Sequence, residues 1–197
     1  MRWDELFDDL ESQLEREMSA EEADLDLEEE RLRLGRLSIR DRLIALHETQ
    51  KLSAGYRLGV TLVTGERLAV HPLNFGRDWF SADVLVDSAR PAQCILPIAA
   101  IQGITLDREA IRRSLDAVPT TDTLSARLGL AFVLRDLCRR RRAITLVIAG
   151  GSLAGTIDRV GRDHVDLAEH EAGAVRRNSA VTGYQMVPFA SIVMVRL

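Results

Sequence analysis

Lysine is almost missing: Lys51 is the only one, so 25 of the 26 basic residues are arginine. A skew of that kind reflects coding composition as readily as a demand for guanidinium groups, so arginine abundance alone does not identify a partner. Cysteine is nearly as scarce. Cys94 and Cys138 lie far apart inside apolar patterns, which argues against a disulfide framework or a zinc knuckle and for reduced, buried thiols. No apolar run approaches the roughly 18 residues of a membrane helix. The opening MRWDELFDDLE is acidic from its fourth residue and lacks the apolar centre of a secretory signal. A cytoplasmic protein without a membrane contact is expected.

What is present is a polarity of charge. Residues 1–31 hold 14 acids against three arginines, whereas residues 32–197 hold 16 acids against 23 basic residues. An acidic arm thus precedes a mildly basic body. Within the arm, Trp3, Leu6, Phe7, Leu10 and Leu14 recur at helical spacing and leave acids on the remaining surface. Ser19 stands three residues before Glu22, the spacing of a capping box, so a helix break is expected near 18–20. A second helix should then run to about His47. Along it Leu25, Leu32, Ile39 and Leu46 repeat every seven residues, but Glu28, Gly35 and Arg42 fill the intermediate positions. That is half a coiled-coil seam.

From Gly59 the period changes to two, and the chain repeats itself. Asn74-Phe-Gly-Arg-Asp-Trp79 is echoed by Arg159-Val-Gly-Arg-Asp-His164. VTLV at Val60–Val63 matches ITLV at Ile144–Val147, and LPIAAI at Leu96–Ile101 matches VPFASI at Val187–Ile192. Each copy reads as three meandering short strands, a loop, a strand ended by proline, one helical turn and a last strand. A helical segment precedes each: Arg36–Leu46 the first and Arg127–Leu137 the second. An internal duplication follows.

That order, and lines such as ITLVIAGGSLAGTIDRVGRDHVDLAE and VPFASIVMVRL, resemble the Sm-like and SH3-like small barrels. They look like such a domain in Hfq, the LSm proteins or the C-terminal barrel of the ribosome maturation factor RimP. The resemblance covers about 100 of the 197 residues. It implies an α+β fold: an N-terminal helical arm followed by two tandem five-stranded antiparallel Sm-like barrels, each preceded by a helix. The boundaries expected are an acidic arm at 1–55, barrel 1 at 56–106, a linker and helix at 107–142, and barrel 2 at 143–197. Where the LSm family reads a base with asparagine, this chain has Ser81 and Asp166. Where the family has Arg-Gly or Tyr-Lys-His, it has Leu96-Pro97-Ile98 and Val187-Pro188-Phe189. Most RNA-reading residues of the family are therefore absent.

The chemistry-bearing groups are few. Arg139, Arg140, Arg141 and Arg142 form the densest basic cluster, and Arg176 and Arg177 stand in the longest loop. They could contact phosphates, or, for the helix-terminal set, offset the macrodipole. Trp79 should point away from the core that Phe80, Ala82 and Val84 face, either to stack on a base, to anchor a partner, or to lie under a helix of its own chain. Trp3, Phe7 and Leu10 on one face of the arm suit a partner groove or the basic body. His164, Asp166 and His170 share a strand face without a tight metal-ligand pattern. GGSLAG at Gly150–Gly155 leads into a strand, not a helix N-terminus, so it is no phosphate loop. No metal, cofactor or catalytic residue is expected.

The functional expectation is a non-catalytic nucleic-acid-binding regulator, RNA being the nucleic acid favoured. The alternative is a protein-interaction or scaffold module docking through the acidic helix or an outer barrel face. Exposed strand edges invite pairing, so the two barrels are expected to pair within the chain and the chain to form a homodimer.

Overall fold

The computed structural model describes residues 3–50, 57–85, 92–116, 124–171 and 180–197. The chain divides into two compact units, Met1–Ser38 and Ile39–Leu197.

The first unit is helix α1, Trp3–Arg36. It passes through Ser19 without interruption, so the break expected near 18–20 is not there. The residues around that point (Glu17, Met18, Ala20, Glu21, Glu22) are strong helix formers, and propensity carries the chain past a capping-box spacing that works equally well as an i,i+3 pair. The interruption falls at 37–38 instead, after which α2 (Ile39–Gln50) begins the second unit. Described leucines along α1, including Leu14, Leu25, Leu27 and Leu32, are exposed, while Leu43, Ala45 and Leu46 of α2 are buried. The seven-residue repeat therefore does not form one seam: its last leucine is core.

The second unit is built on one sheet. Strands β1 (Leu58–Leu62), β2 (Arg67–Phe75), β3 (Trp79–Val84), β4 (Ala92–Pro97) and β5 (Ile101–Thr105) come from the first repeat. β6 (Ala143–Ile148), β7 (Gly151–Val160), β8 (His164–Glu169), β9 (Gly183–Pro188) and β10 (Ile192–Arg196) come from the second. A 3-10 turn, Ile98–Ala100 or Phe189–Ser191, joins the last two strands of each copy. Between the copies lie α3 (Arg108–Arg113), α4 (Leu124–Arg127) and α5 (Leu130–Arg139). The strand order is β5-β1-β2-β3-β4-β10-β6-β7-β8-β9, antiparallel throughout.

The duplication is visible as the same order in each half, last-first-second-third-fourth. The expected pair of separate five-stranded barrels is not. Closing each half would require β4 to meet β5 and β9 to meet β10. Instead β4 meets β10, with Ile95 opposite Val195 and Cys94 opposite Arg196, and β5 and β9 end a single open sheet of ten strands. The physical reason is the one that makes any edge reactive: a row of unpaired N–H and C=O groups is satisfied by the nearest complementary strand. Here that strand belongs to the other copy.

Two core clusters flank the seam, and each borrows from the opposite half. Phe80, Leu96, Leu58 and Leu62 pack with Val147, Val193 and Met194 of the second copy. Leu134, Leu146, Ile157 and Leu167 pack with Trp79 and Ile95 of the first. The halves are thus welded by shared apolar burial as well as by the ladder.

Candidate functional site

The repeated Gly-Arg-Asp turn is structural in both copies. Gly76 N–H donates to the carbonyl of Trp79 at 2.8 Å, and Gly161 N–H to that of His164 at 2.9 Å. The carbonyls of Asp78 and Asp163 accept from Ile98 N–H (2.9 Å) and Phe189 N–H (2.8 Å), fixing each turn to the start of the following 3-10 turn. The glycines are required by close approach: a Cβ on Gly76 would lie 2.1 Å from Trp79 Nε1, and one on Gly161 2.5 Å from His164 Cε1.

The first turn also organises the helices. Asp78 Oδ1 accepts from Leu130 N–H at 2.7 Å and so caps α5; Leu128 O accepts from Arg77 N–H at 2.9 Å and from Trp79 Nε1 at 3.0 Å. Arg40 Nε of α2 donates to Gly76 O at 2.6 Å. Trp79 is buried among Leu130, Leu134 and their neighbours. It does face away from its own half's core, as alternation requires, but α5 covers it. The partner-anchor expectation for Trp79 is therefore corrected: its ring is spent inside the chain.

The arginine cluster occupies the C-terminus of α5. Arg139 and Arg140 both pair with Asp136, Arg140 Nε at 2.6 Å from Oδ2. The hydrogen bond from Arg139, then that from Arg140, holds the Asp136 carboxyl below the usual range. Arg141 N–H donates to Cys138 O at 3.0 Å and Arg142 N–H to Leu137 O at 3.2 Å. This is a Schellman closure, in which a residue of positive φ is required. Arg141 fills that position, at φ 49°, where glycine is favoured. Arg141 and Arg142 are exposed and have no ion pair among the described residues. Half of the cluster is thus neutralised, and half has no ion pair among the described residues. Arg176 and Arg177 lie outside the described residues, as do the side chains of Trp3, Phe7 and Leu10 on α1.

Phe132, which sequence reasoning passed over inside the apolar run LAFVL, is exposed. Helical spacing puts it on the solvent face with Arg135 and Arg139, opposite buried Leu130, Leu134 and Leu137. The clue was available: in a strictly amphipathic helix, a residue out of phase with three core leucines faces water.

Other groups are internally satisfied. The hydroxyl of Ser81, at one of the base-reading positions of the resembled family, accepts from Asn74 N–H at 3.2 Å. His164 Nδ1 lies 2.9 Å from Asp163 Oδ1. The second of these histidines, His170, is buried, its Nε2 2.8 Å from Thr156 Oγ1 and its Nδ1 3.0 Å from Glu171 O. It borders a shallow cleft of about 270 Å³ with Thr145, Gly155 and Arg196. Among the described residues no three His, Cys, Asp or Glu side chains cluster as a metal site, and no helix is long and apolar enough to cross a membrane. Both cysteines are free; burial pushes the Cys94 thiol up to about 12 and, more weakly, raises that of Cys138.

What these features define is a β-rich α+β chain organised by an internal repeat. Compared with protein-family models, curated proteins and solved structures, the chain matches none.

Proposed function

We propose that the protein is a non-catalytic interaction module whose docking element is the acidic helix α1. The observation that carries this reading is the exposure of Leu14, Met18, Leu25 and Leu32, spaced four, seven and seven residues apart on one uninterrupted helix. A helix of 34 residues extends about 50 Å at 1.5 Å per residue, and large apolar side chains exposed along one stripe of it mark a surface to be covered. Charge selects the partner. With 14 acids against three arginines in residues 1–31, pairing with a second α1 would be repulsive, and a basic partner presenting an apolar helix face or groove fits. The test is capture of interacting proteins by the full chain and by Leu25→Glu/Leu32→Glu. Loss of a basic partner with the double variant is expected; capture unchanged by it would sink the reading.

A second reading, RNA binding, is favoured by one specific observation: Arg141 and Arg142 are exposed without an ion pair among the described residues, in the turn that follows the helix exposing Phe132 and Arg135. Free guanidinium groups neutralise phosphates, and an exposed ring stacks on a base. It predicts binding of single-stranded RNA that weakens steeply with salt, and a shallower salt dependence for Arg141→Ala/Arg142→Ala. Equal slopes would dismiss it.

A further inference from the structure

We infer that α1 is one strand of an antiparallel two-stranded coiled coil. Its partner strand is a helix of another protein, basic along most of its length and acidic at its N-terminal end. This rests on the reading of α1 as the docking element and adds the partner's form, charge order and direction.

The form follows from the width of the apolar stripe. Met18, Leu25 and Leu32 repeat every seven residues, and Leu14 lies four before Met18. At about 100° per residue these four side chains fall within about 40° of one another round the helix. A helix docked on a broad apolar surface carries a stripe about 100° wide or more, whereas a narrow one is a seam with a single neighbouring helix. In heptad terms Met18, Leu25 and Leu32 take the a positions, and Leu14, Glu21, Glu28 and Gly35 the d positions. Leu27 and Leu34, also exposed, lie about 200° round from a and take no part in this seam.

The charge order is written beside the seam, at e and g, the positions that set partner choice and orientation. Glu17, Asp24 and Arg31 stand at g, and Glu22, Glu29 and Arg36 at e; all six are exposed. Each row thus runs acid, acid, arginine. Glu21 and Glu28, inside the seam, lengthen the acidic stretch. Arg33 belongs to the outer face, where its Nε lies 2.6 Å from Glu30 Oε2. Arg31 is only loosely held, its nearest nitrogen 3.8 Å from Glu28 Oε2 with both side chains exposed. A second α1 would face acid with acid along the middle of the seam in either direction. The strand that fits is basic opposite residues 17–29 and acidic opposite Arg31 and Arg36.

The direction follows from the helix dipole. Acids are favoured at the N-terminus of a helix and bases towards its C-terminus, an order α1 itself keeps, with Arg31, Arg33 and Arg36 at its end. The acidic end of the partner is therefore its N-terminus. Because that end lies against the C-terminal arginines of α1, the two helices run antiparallel. In that arrangement the a positions of α1 meet d positions of the partner, which are apolar. Glu21 and Glu28 meet its a positions, which are basic.

The test is fluorescence anisotropy of labelled synthetic peptides of three heptads, titrated with the full chain. The matching peptide has leucine at every d, lysine at every a, and lysine at e and g except for glutamate in its first heptad. Its reversed sequence keeps the composition and offers the same residues to a parallel pairing. The full chain should bind the matching peptide at least about tenfold more tightly than the reversed one. Arg31→Glu/Arg36→Glu should weaken that binding at least about tenfold and strengthen binding of a version with lysine at every e and g. Circular dichroism checks that the variant keeps its helix. Equal binding of the two directions, or a charge reversal without effect, overturns the inference. Leu25→Glu/Leu32→Glu separates this failure from that of the docking reading. If that variant loses the peptides while direction and the arginines prove indifferent, the docking surface stands and the partner's order and direction fall. If it binds as wild type does, or if the full chain binds no peptide, both fall.

Discussion

Asp78 and Leu130 are joined by a 2.7 Å hydrogen bond from the backbone N–H of Leu130 to Asp78 Oδ1. The turn of the first repeat thereby caps the helix that precedes the second. Among the described residues the side chain of the equivalent carboxylate, Asp163, meets only the partly exposed ring of His164. One sequence motif, written twice, has a common backbone role and one copy-specific task.

That difference is measurable. Asp78→Ala removes a helix cap and should cost about 1 kcal/mol of stability, whereas Asp163→Ala removes a surface contact and should cost less than about 0.5 kcal/mol. Chemical denaturation of both variants makes the comparison; equal losses would show that the cap contributes nothing.

Glycine should divide the molecule in the same way. Gly76→Ala drives a Cβ into the indole of Trp79, displacing a buried ring and its bond to Leu128, and should destabilise by about 2 kcal/mol or more. Gly161→Ala should cost less, because His164 is partly exposed and its ring can swing outward. At Gly35, inside α1, nothing lies within 4 Å of an added Cβ, and alanine should strengthen the helix by up to about 1 kcal/mol. Thermal melts would rank the three, with the helical signal reporting Gly35→Ala.

Arg141 holds a left-handed conformation that glycine adopts freely. Arg141→Gly should therefore raise stability by about 1 kcal/mol. If it also abolishes RNA binding, the strained arginine is retained for its charge. A destabilised variant would contradict the backbone argument.

Burial raises the Cys94 thiol to about 12, so it stays protonated near neutral pH. In the unfolded chain the thiol ionises near its ordinary value, close to 9. Above that pH the unfolded state has lost a proton the folded state keeps, so the Cys94 contribution to stability falls as pH rises from about 9 to 12. Alkylation of the native protein at mildly alkaline pH should label Cys138, which is partly exposed, well before Cys94. Prompt labelling of Cys94 would show its site to be open.

The elements were largely legible from local pattern. Period-two alternation located the strands, Pro97 and Pro188 ended β4 and β9 as a missing N–H demands, and the 3-10 turns follow each proline. The α1 boundary was misplaced because Ser19 and Glu22 carry a spacing common to helix starts and helix interiors. Trp79 was legible as facing away from its own half, but which element lay there was not: its cover, α5, is about 50 residues further along the chain. The neutralisation of Arg139 and Arg140 by Asp136 depends on i,i+3 and i,i+4 geometry, and was open to view once the helix was drawn.

Sequence by itself determined the strand positions, the charged arm and the two Gly-Arg-Asp turns, since each rests on residues within a few positions of one another, and it determined the repeat because short stretches recur along the chain. Only the tertiary structure decided that β4 seeks β10 in place of β5, making one open sheet where two closed units were expected. Backbone edges are chemically alike in every strand. Which edges meet is settled by the apolar side chains that can be buried together across the join, and Ile95, Val147, Val193 and Met194 find that burial only in the opposite repeat.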